Sequence, residues 1–348
     1  MNKFIFVLLF IYLFMFSPNR NKKLKNNVID LSYIKYAITN KTMGSQSSKS
    51  QGSSRGNIHQ SSQTFQSQSR VTSSVNNTRQ QPQTGNQVSK NYKYFKDRFT
   101  SYSDLEKALR NAGLESSNLI VGIDFTRSNE WTGGLPFFPD NHLHSIKYQP
   151  NLYQQVISIM GNSLEPFDDD KFIPTYGFGD TTTTDKQVFS FAKDLQTGFD
   201  MPCYTFANVL QAYNTVAVDI ASGKFQLSGP TTFTPLIKKA IEIVKANRSY
   251  HILLIICDGG VTNKQETIEA IVEASQYPLS IICVGVGKGP WDIMQEFDDE
   301  IPERSFDNFQ FVNFYETMKE CENIEAEFAK RCLMEIPDQY EYIRKHLL

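Results

Sequence analysis

The chain reads as an α/β fold: a doubly wound, mostly parallel sheet with helices on both faces, preceded by a polar, disordered arm. Three observations carry this reading. Apolar runs of strand length alternate with amphipathic helical stretches from residue 92 to residue 348. Two of the runs, 118–124 and 252–257, end at Asp124 and directly before Asp258. Buried parallel strands deliver polar groups at their carboxyl ends in this way. Finally, residues 43–91 are rich in Ser, Gln, Asn and Thr and too poor in apolar side chains to offset the entropy of ordering.

The elements follow in order along the chain. Residues 103–112 read as a short helix with Leu105 and Leu109 on one face and a serine at its start. The strand 118–124 comes next, then a helix over 151–164 and a strand over 172–177. Helices are expected at 205–221 and 233–246; in the second, Phe233, Leu236, Ile237, Ala240, Ile241 and Val244 share a face. After the strand 252–257 the pattern predicts a helix over 263–276, a buried strand over 279–286 and a helix over 290–297. An edge strand at 308–314 and one long closing helix at 316–335 complete the domain. Ligands in such folds sit beyond the carboxyl ends of the strands.

The first 91 residues raise a different question. Residues 4–16 are an unbroken apolar run, with Lys3 before it and Arg20, Lys22 and Lys23 after it. That length is short for a membrane span and suits the apolar region of a signal peptide, but the small-residue cleavage pattern is missing. Residues 1–42 also lack glycine and lean on Phe, Ile, Asn, Lys and Tyr, as translated AT-rich non-coding DNA would. Met43-Gly44-Ser45-Gln46-Ser47-Ser48 fits the N-myristoylation pattern, with Gly44 as the acylated terminus. We therefore expect translation from Met43, and a cytoplasmic protein, membrane-associated or nuclear; the alternative is secretion or anchoring through residues 4–16. The arm 43–91 holds no acidic residue, while Lys49, Arg55, Arg70, Arg79 and Lys90 are spread along it. It reads first as a solvated linker, and second as a basic arm assisting a myristoyl group at an anionic membrane.

Composition narrows the function. A net charge of −2 offers no bulk attraction for nucleic acid. The five cysteines form no C-x-x-C pair, so neither a structural zinc site nor a disulfide framework is readable; Cys257 and Cys283, inside apolar runs, read as reduced core residues. No G-x-S-x-G is present, and Gly285-x-Gly287-x-Gly289 lacks the Lys-Ser/Thr of a phosphate-binding P-loop. His142 and His144 are expected in a surface loop, Asp168, Asp169 and Asp170 in a solvated turn, and Asp298, Asp299 and Glu300 at an exposed helix end.

Chemistry collects in three segments. Asp124-Phe125-Thr126-Arg127-Ser128 follows a buried strand, Gly229-Pro230-Thr231-Thr232 leads into a helix, and Asp258-Gly259-Gly260 follows a second buried strand. Singly, each is explained by a turn or a helix cap. Jointly, Asp124, Thr126, Ser128, Thr231 and Asp258 make a hard, oxygen-only donor set suited to Mg²⁺, Mn²⁺ or Ca²⁺. An ion held by so few charges stays electrophilic and takes a carboxylate from another protein as its missing ligand.

These five residues resemble the metal-ion-dependent adhesion site of von Willebrand factor A domains. The surrounding sequence is similar to the copine type of that domain, on Gly113 to Thr126, Ser128-Asn129-Glu130-Trp131-Thr132-Gly133, Tyr176-Gly177-Phe178-Gly179-Asp180, Gly289-Pro290-Trp291-Asp292 and Phe306 to Val312. Residues 333–340 together with Met43-Gly44 are most similar to the plant-type RING domain ligases called RGLG. That resemblance implies an acylated N-terminus, this domain, and a C-terminal RING that recruits ubiquitination machinery. No Cys/His zinc-ligand series is present up to Leu348. The expectation is thus a binding module without a catalytic constellation. The alternative is a ubiquitin-ligase component acting in trans, or one whose RING was lost from the gene model.

Overall fold

A computed structural model describes residues 101–348, except residues 115, 116, 137, 148, 149, 169, 302, 321 and 322. The calls on residues 1–42, on the arm 43–91 and on Gly44 lie outside the described residues. Helix α1 (Tyr102–Asn111) is capped by Ser101, whose side chain accepts from the Asp104 amide. Strand β1 (Asn118–Asp124) is followed by a single 3₁₀ turn, Arg127–Glu130. Helix α2 (Leu152–Leu164) opens on a capping box in which Asn151 and Gln154 satisfy each other's amides. Then come β2 (Phe172–Ile173), β3 (Thr175–Phe178), β4 (Phe189–Ser190), β5 (Ala192–Lys193), β6 (Asp200–Met201), β7 (Cys203–Tyr204) and the helix α3 (Thr205–Ala221). Helix α4 (Thr234–Asn247), β8 (His251–Cys257), α5 (Lys264–Ala274), β9 (Leu279–Gly285), α6 (Asp292–Asp299) and β10 (Phe309–Asn313) follow. Three short helices close the chain: α7 (Phe314–Glu320), α8 (Ile324–Leu333) and α9 (Ile336–His346).

The main sheet has the order β10-β9-β8-β1-β3-β4, parallel throughout except for the antiparallel β3–β4 edge. Strand alternation sends successive side chains to opposite faces. Leu119, Val121 and Ile123 of β1 join Ile252, Leu254 and Ile256 of β8 in one apolar core, with α1, α2, α3 and α7–α9. Ile120 joins Leu253, Ile255, Ile281 and Cys283 in the other, under α4, α5 and α6. Both faces of the sheet are therefore covered, which is why these strands read as continuous apolar runs.

Two expected elements are divided. The strand expected at 172–177 is two strands, β2 pairing antiparallel with β7 and β3 pairing parallel with β1, because Pro174 between them has no amide for a ladder. The long closing helix expected at 316–335 is two helices, α7 and α8, with Asn323 capping α8 by accepting from the Ala326 amide at 3.3 Å; a further helix, α9, follows beyond its expected end with Pro337 in its first turn. Its aromatic residues then fold back on the domain, Tyr340 against Tyr250 and Tyr342 stacked on Phe306. Two side-chain readings also change. His144 is 1% exposed, not a surface-loop residue, and Asp168 is buried beneath a bridge to Ser117 rather than solvated. Among the described residues, no helix is long and apolar enough to cross a membrane.

Packing of α4 on the sheet depends on Gly122, where an added Cβ would lie 2.1 Å from Leu236 Cδ2. Both Gly122 and Leu236 are central to the sheet–helix contact, so neither can retreat without opening the second core. Gly122→Ala is expected to lower the unfolding free energy by about 1–3 kcal/mol through overpacking. Urea unfolding followed by circular dichroism checks this, and an unchanged midpoint would contradict the close approach.

Candidate metal centre

The order of the sheet places the chemistry. From β1 the chain moves to β3 on one side and later to β8 on the other. The carboxyl ends of β1 and β8 thus flank the crevice where the winding reverses, the usual ligand position in open parallel sheets. Asp124 is the last residue of β1, and Asp258 directly follows β8. Both are buried, 0% and 1% exposed.

All five residues singled out in the sequence meet here in one hydrogen-bonded network. Ser128 Oγ donates to Asp258 Oδ1 at 2.9 Å. The 3.0 Å contact between Thr126 Oγ1 and Ser128 Oγ must then be donated by Thr126, because the Ser128 proton is already committed. Thr231 Oγ1 donates in turn to Thr126 Oγ1 at 3.1 Å. The three hydroxyl protons therefore run in one direction, from Thr231 to Asp258. Asp124 accepts the Thr126 amide on Oδ1 at 2.8 Å, while its Oδ2 is buried without a hydrogen-bond partner. No basic side chain pairs with either carboxylate among the described residues.

Electrostatics follow from this. Burial, and then the charge of Asp258, push the Asp124 carboxyl well above the ordinary range. Burial also raises Asp258, against hydrogen bonds from Thr132 and Ser128 that favour its ionised form. Two desolvated carboxyls at one rim with no cationic partner are costly unless a proton or a cation joins them. The unpartnered Oδ2 and the hard oxygen donors around it fit a divalent cation.

A brace of aromatic residues holds this rim from below. His144 is buried and stacks between Phe125 and Tyr153, with ring centroids 4.8 and 4.3 Å away. Burial lowers its pKa to about 3, so the ring is neutral. A carbonyl oxygen only accepts, so His144 Nε2 donates to the Asp124 carbonyl at 3.0 Å, and Nδ1 accepts from Tyr213 Oη at 3.0 Å. Tyr153 Oη donates to Asn129 Oδ1 at 2.7 Å, and Asn129 Nδ2 to the Thr126 carbonyl at 3.0 Å. On the other side, Gly179 has φ +82°, and a Cβ there would sit 2.2 Å from Thr126 Cγ2, so the β3 loop approaches only because this residue is glycine.

Sequence reasoning missed Thr132, His144, Asn129, Tyr153 and Tyr213. Thr132 had a local signal: it lies one turn beyond Ser128, where its hydroxyl, 3.0 Å from the Ser128 carbonyl oxygen, donates to Asp258 Oδ2 at 2.6 Å. The other four are set by tertiary packing. Arg127, between the two hydroxyl residues, is exposed, and Cys257 packs in the core with Sγ 3.7 Å from Cys283 Sγ.

Residues 142–348 match the family described as Copine, a span that holds Thr231 and Asp258 and begins after Asp124, Thr126 and Ser128. The chain is 49% identical over 287 residues to E3 ubiquitin-protein ligase RGLG5 of Arabidopsis thaliana, covering 77% of this chain and 63% of that protein. It is 47% identical over 264 residues to RGLG3 of the same plant, covering 71% and 69%. Over 248 residues it is 50% identical to Copine family protein 2 of Caenorhabditis elegans, covering 71% of this chain and 3% of that one. The chain thus spans less than two thirds of the length of RGLG5 and, at 65%, of RGLG4. Among solved structures, manganese-loaded Plasmodium vivax TRAP protein matches with a TM-score of 0.38 and 11% identity, over 61% of this chain and 74% of that one.

Replacing Thr132 by Val keeps the shape and removes the donor to Asp258 Oδ2. In the presence of EDTA this variant should lose about 1–3 kcal/mol of stability, the cost of leaving a buried acceptor unmet. Thr132→Ser should recover most of the loss in the same thermal melts; equal behaviour of Val and Ser would remove the hydrogen bond from the account.

Proposed function

This chain belongs to the copine family, and from that premise we propose that it is a divalent-metal-dependent protein-binding module. The observation that carries the reading is the buried Asp124 Oδ2, without a hydrogen-bond partner beside a second buried carboxylate. Asp124, Thr126, Ser128, Thr231 and Asp258 would hold Mg²⁺, Mn²⁺ or Ca²⁺, the hard cations that oxygen-only donor sets take. When bound, the cation supplies a Lewis-acid position for a carboxylate of a partner protein. The chain's own residues do the rest: Ser128, Thr132 and Thr126 orient the two aspartates, and His144 holds the Asp124 backbone from the core side.

A second reading is favoured by the identity of 47–49% to plant E3 ubiquitin-protein ligases. On it, the module recognises the protein to be ubiquitinated, and the transfer chemistry belongs to a RING outside the residues described. A cytoplasmic location and tethering through a myristoyl group on Gly44 belong to the same proposal.

Calorimetric titration with Mg²⁺ and with Mn²⁺ tests the first reading. Wild type should bind and Asp124→Asn should not, while both unfold cooperatively. In EDTA the same variant should be the more stable of the two, by an amount of order 1 kcal/mol, because one member of a buried carboxyl pair without a countercharge is gone. Equal metal affinity in the two proteins would sink the proposal. Pull-downs with and without EDTA then separate metal-dependent partners from background.

A further inference from the structure

The rim around the five oxygen donors carries three exposed side chains with no assigned role. Trp131 is 57% exposed, an unusual place for the largest amphipathic side chain. Its position is fixed: the Trp131 amide donates to the Ser128 carbonyl at 3.0 Å, and the next residue, Thr132, touches Asp258. Arg127 lies between Thr126 and Ser128 and is exposed without an ion pair among the described residues. Lys288 is also exposed, without an ion pair among the described residues, and its amide donates to the Thr132 carbonyl at 3.0 Å, so its backbone abuts the same turn. The one acidic side chain of that turn, Glu130, is exposed as well.

Charge at this rim depends on the cation. A bound divalent ion cancels Asp124 and Asp258, and Arg127 and Lys288 then outweigh Glu130. Without the ion, the buried pair offsets that positive charge. An acidic segment is thus attracted more strongly to the loaded rim than to the empty one. An exposed tryptophan in the turn that carries these donors is the residue type that anchors interfaces, through apolar area at low cost in rotamer entropy.

We propose that the partner of this rim is an acidic protein segment with an apolar side chain beside its metal-seeking carboxylate. Trp131 receives the apolar group, and Arg127 and Lys288 receive flanking carboxylates. This rests on the metal-dependent reading above and names the class of ligand for the same site.

Fluorescence anisotropy on the full chain tests it with four labelled peptides. The first has a central Asp followed by Leu, with Glu on both sides; the others replace Leu by Ser, the Glu flanks by Lys, or the central Asp by Asn. In Mn²⁺ the first should bind tightest, and EDTA should abolish its binding. Leu→Ser in the peptide and Trp131→Ala in the protein should each weaken it about tenfold. The two changes together should cost little more than either alone, since they remove one contact. Arg127→Glu with Lys288→Glu should weaken the Glu-flanked peptide, favour the Lys-flanked one and flatten the dependence on salt. If peptides with the central Asp bind in Mn²⁺ with equal affinity whatever their flanks, this inference fails and the metal reading survives. If no peptide binds to a chain that takes up Mn²⁺ by calorimetry, it fails likewise. If the chain takes up no metal, both fall. Trp131→Phe, which keeps an aromatic face, should retain binding and thereby exclude a folding defect.

Discussion

The rim of this domain is organised around two aspartates that the sheet buries side by side without a countercharge. Parallel pairing of β1 with β8 fixes the strand ends in register, from Asn118 with His251 to Ile123 with Ile256. The residues that follow those ends, Asp124 and Asp258, have no choice but to share the crevice. Desolvation makes that arrangement costly. Most of the polar structure nearby serves to contain the cost: hydroxyls relay donors to Asp258 and one backbone amide serves Asp124, while Asp124 Oδ2 is buried without a hydrogen-bond partner.

Containment depends on a rigid support, and the support is aromatic. His144 is neutral because it is buried, and because it is neutral its two nitrogens take complementary roles, one toward the Asp124 carbonyl and the other toward Tyr213. Phe125, Tyr153 and Tyr213 close around the ring. The result is a loop whose backbone is held from the core side while its hydroxyls face the crevice.

The relatives place the same module in different settings. A segment 47–50% identical to this chain occurs in plant proteins named as ubiquitin ligases and in nematode proteins named for the copine family. The family match over residues 142–348 includes Thr231 and Asp258, two of the residues that build the rim.

Much of this was legible in the order of residues. Alternating apolar runs and helical stretches sufficed for the fold class, because a strand buried on both faces has to be apolar throughout. The strand 118–124 was read at its exact bounds for that reason. Strand-terminal Asp124 and Asp258, with Thr126, Ser128 and Thr231, could be selected because carboxylates directly after buried strands have one place to go. Only the tertiary structure decided the breaks at Pro174 and in the closing helix. Helical periodicity continues through residues that a cap or a proline interrupts once packing offers the chain another course. Only the fold, too, put His144 in the core and Thr132 on Asp258. A histidine in a loop of polar neighbours carries no mark of burial until distant aromatic residues enclose it, and a hydroxyl finds its acceptor 126 residues away by pairing of strands, not by spacing along the chain.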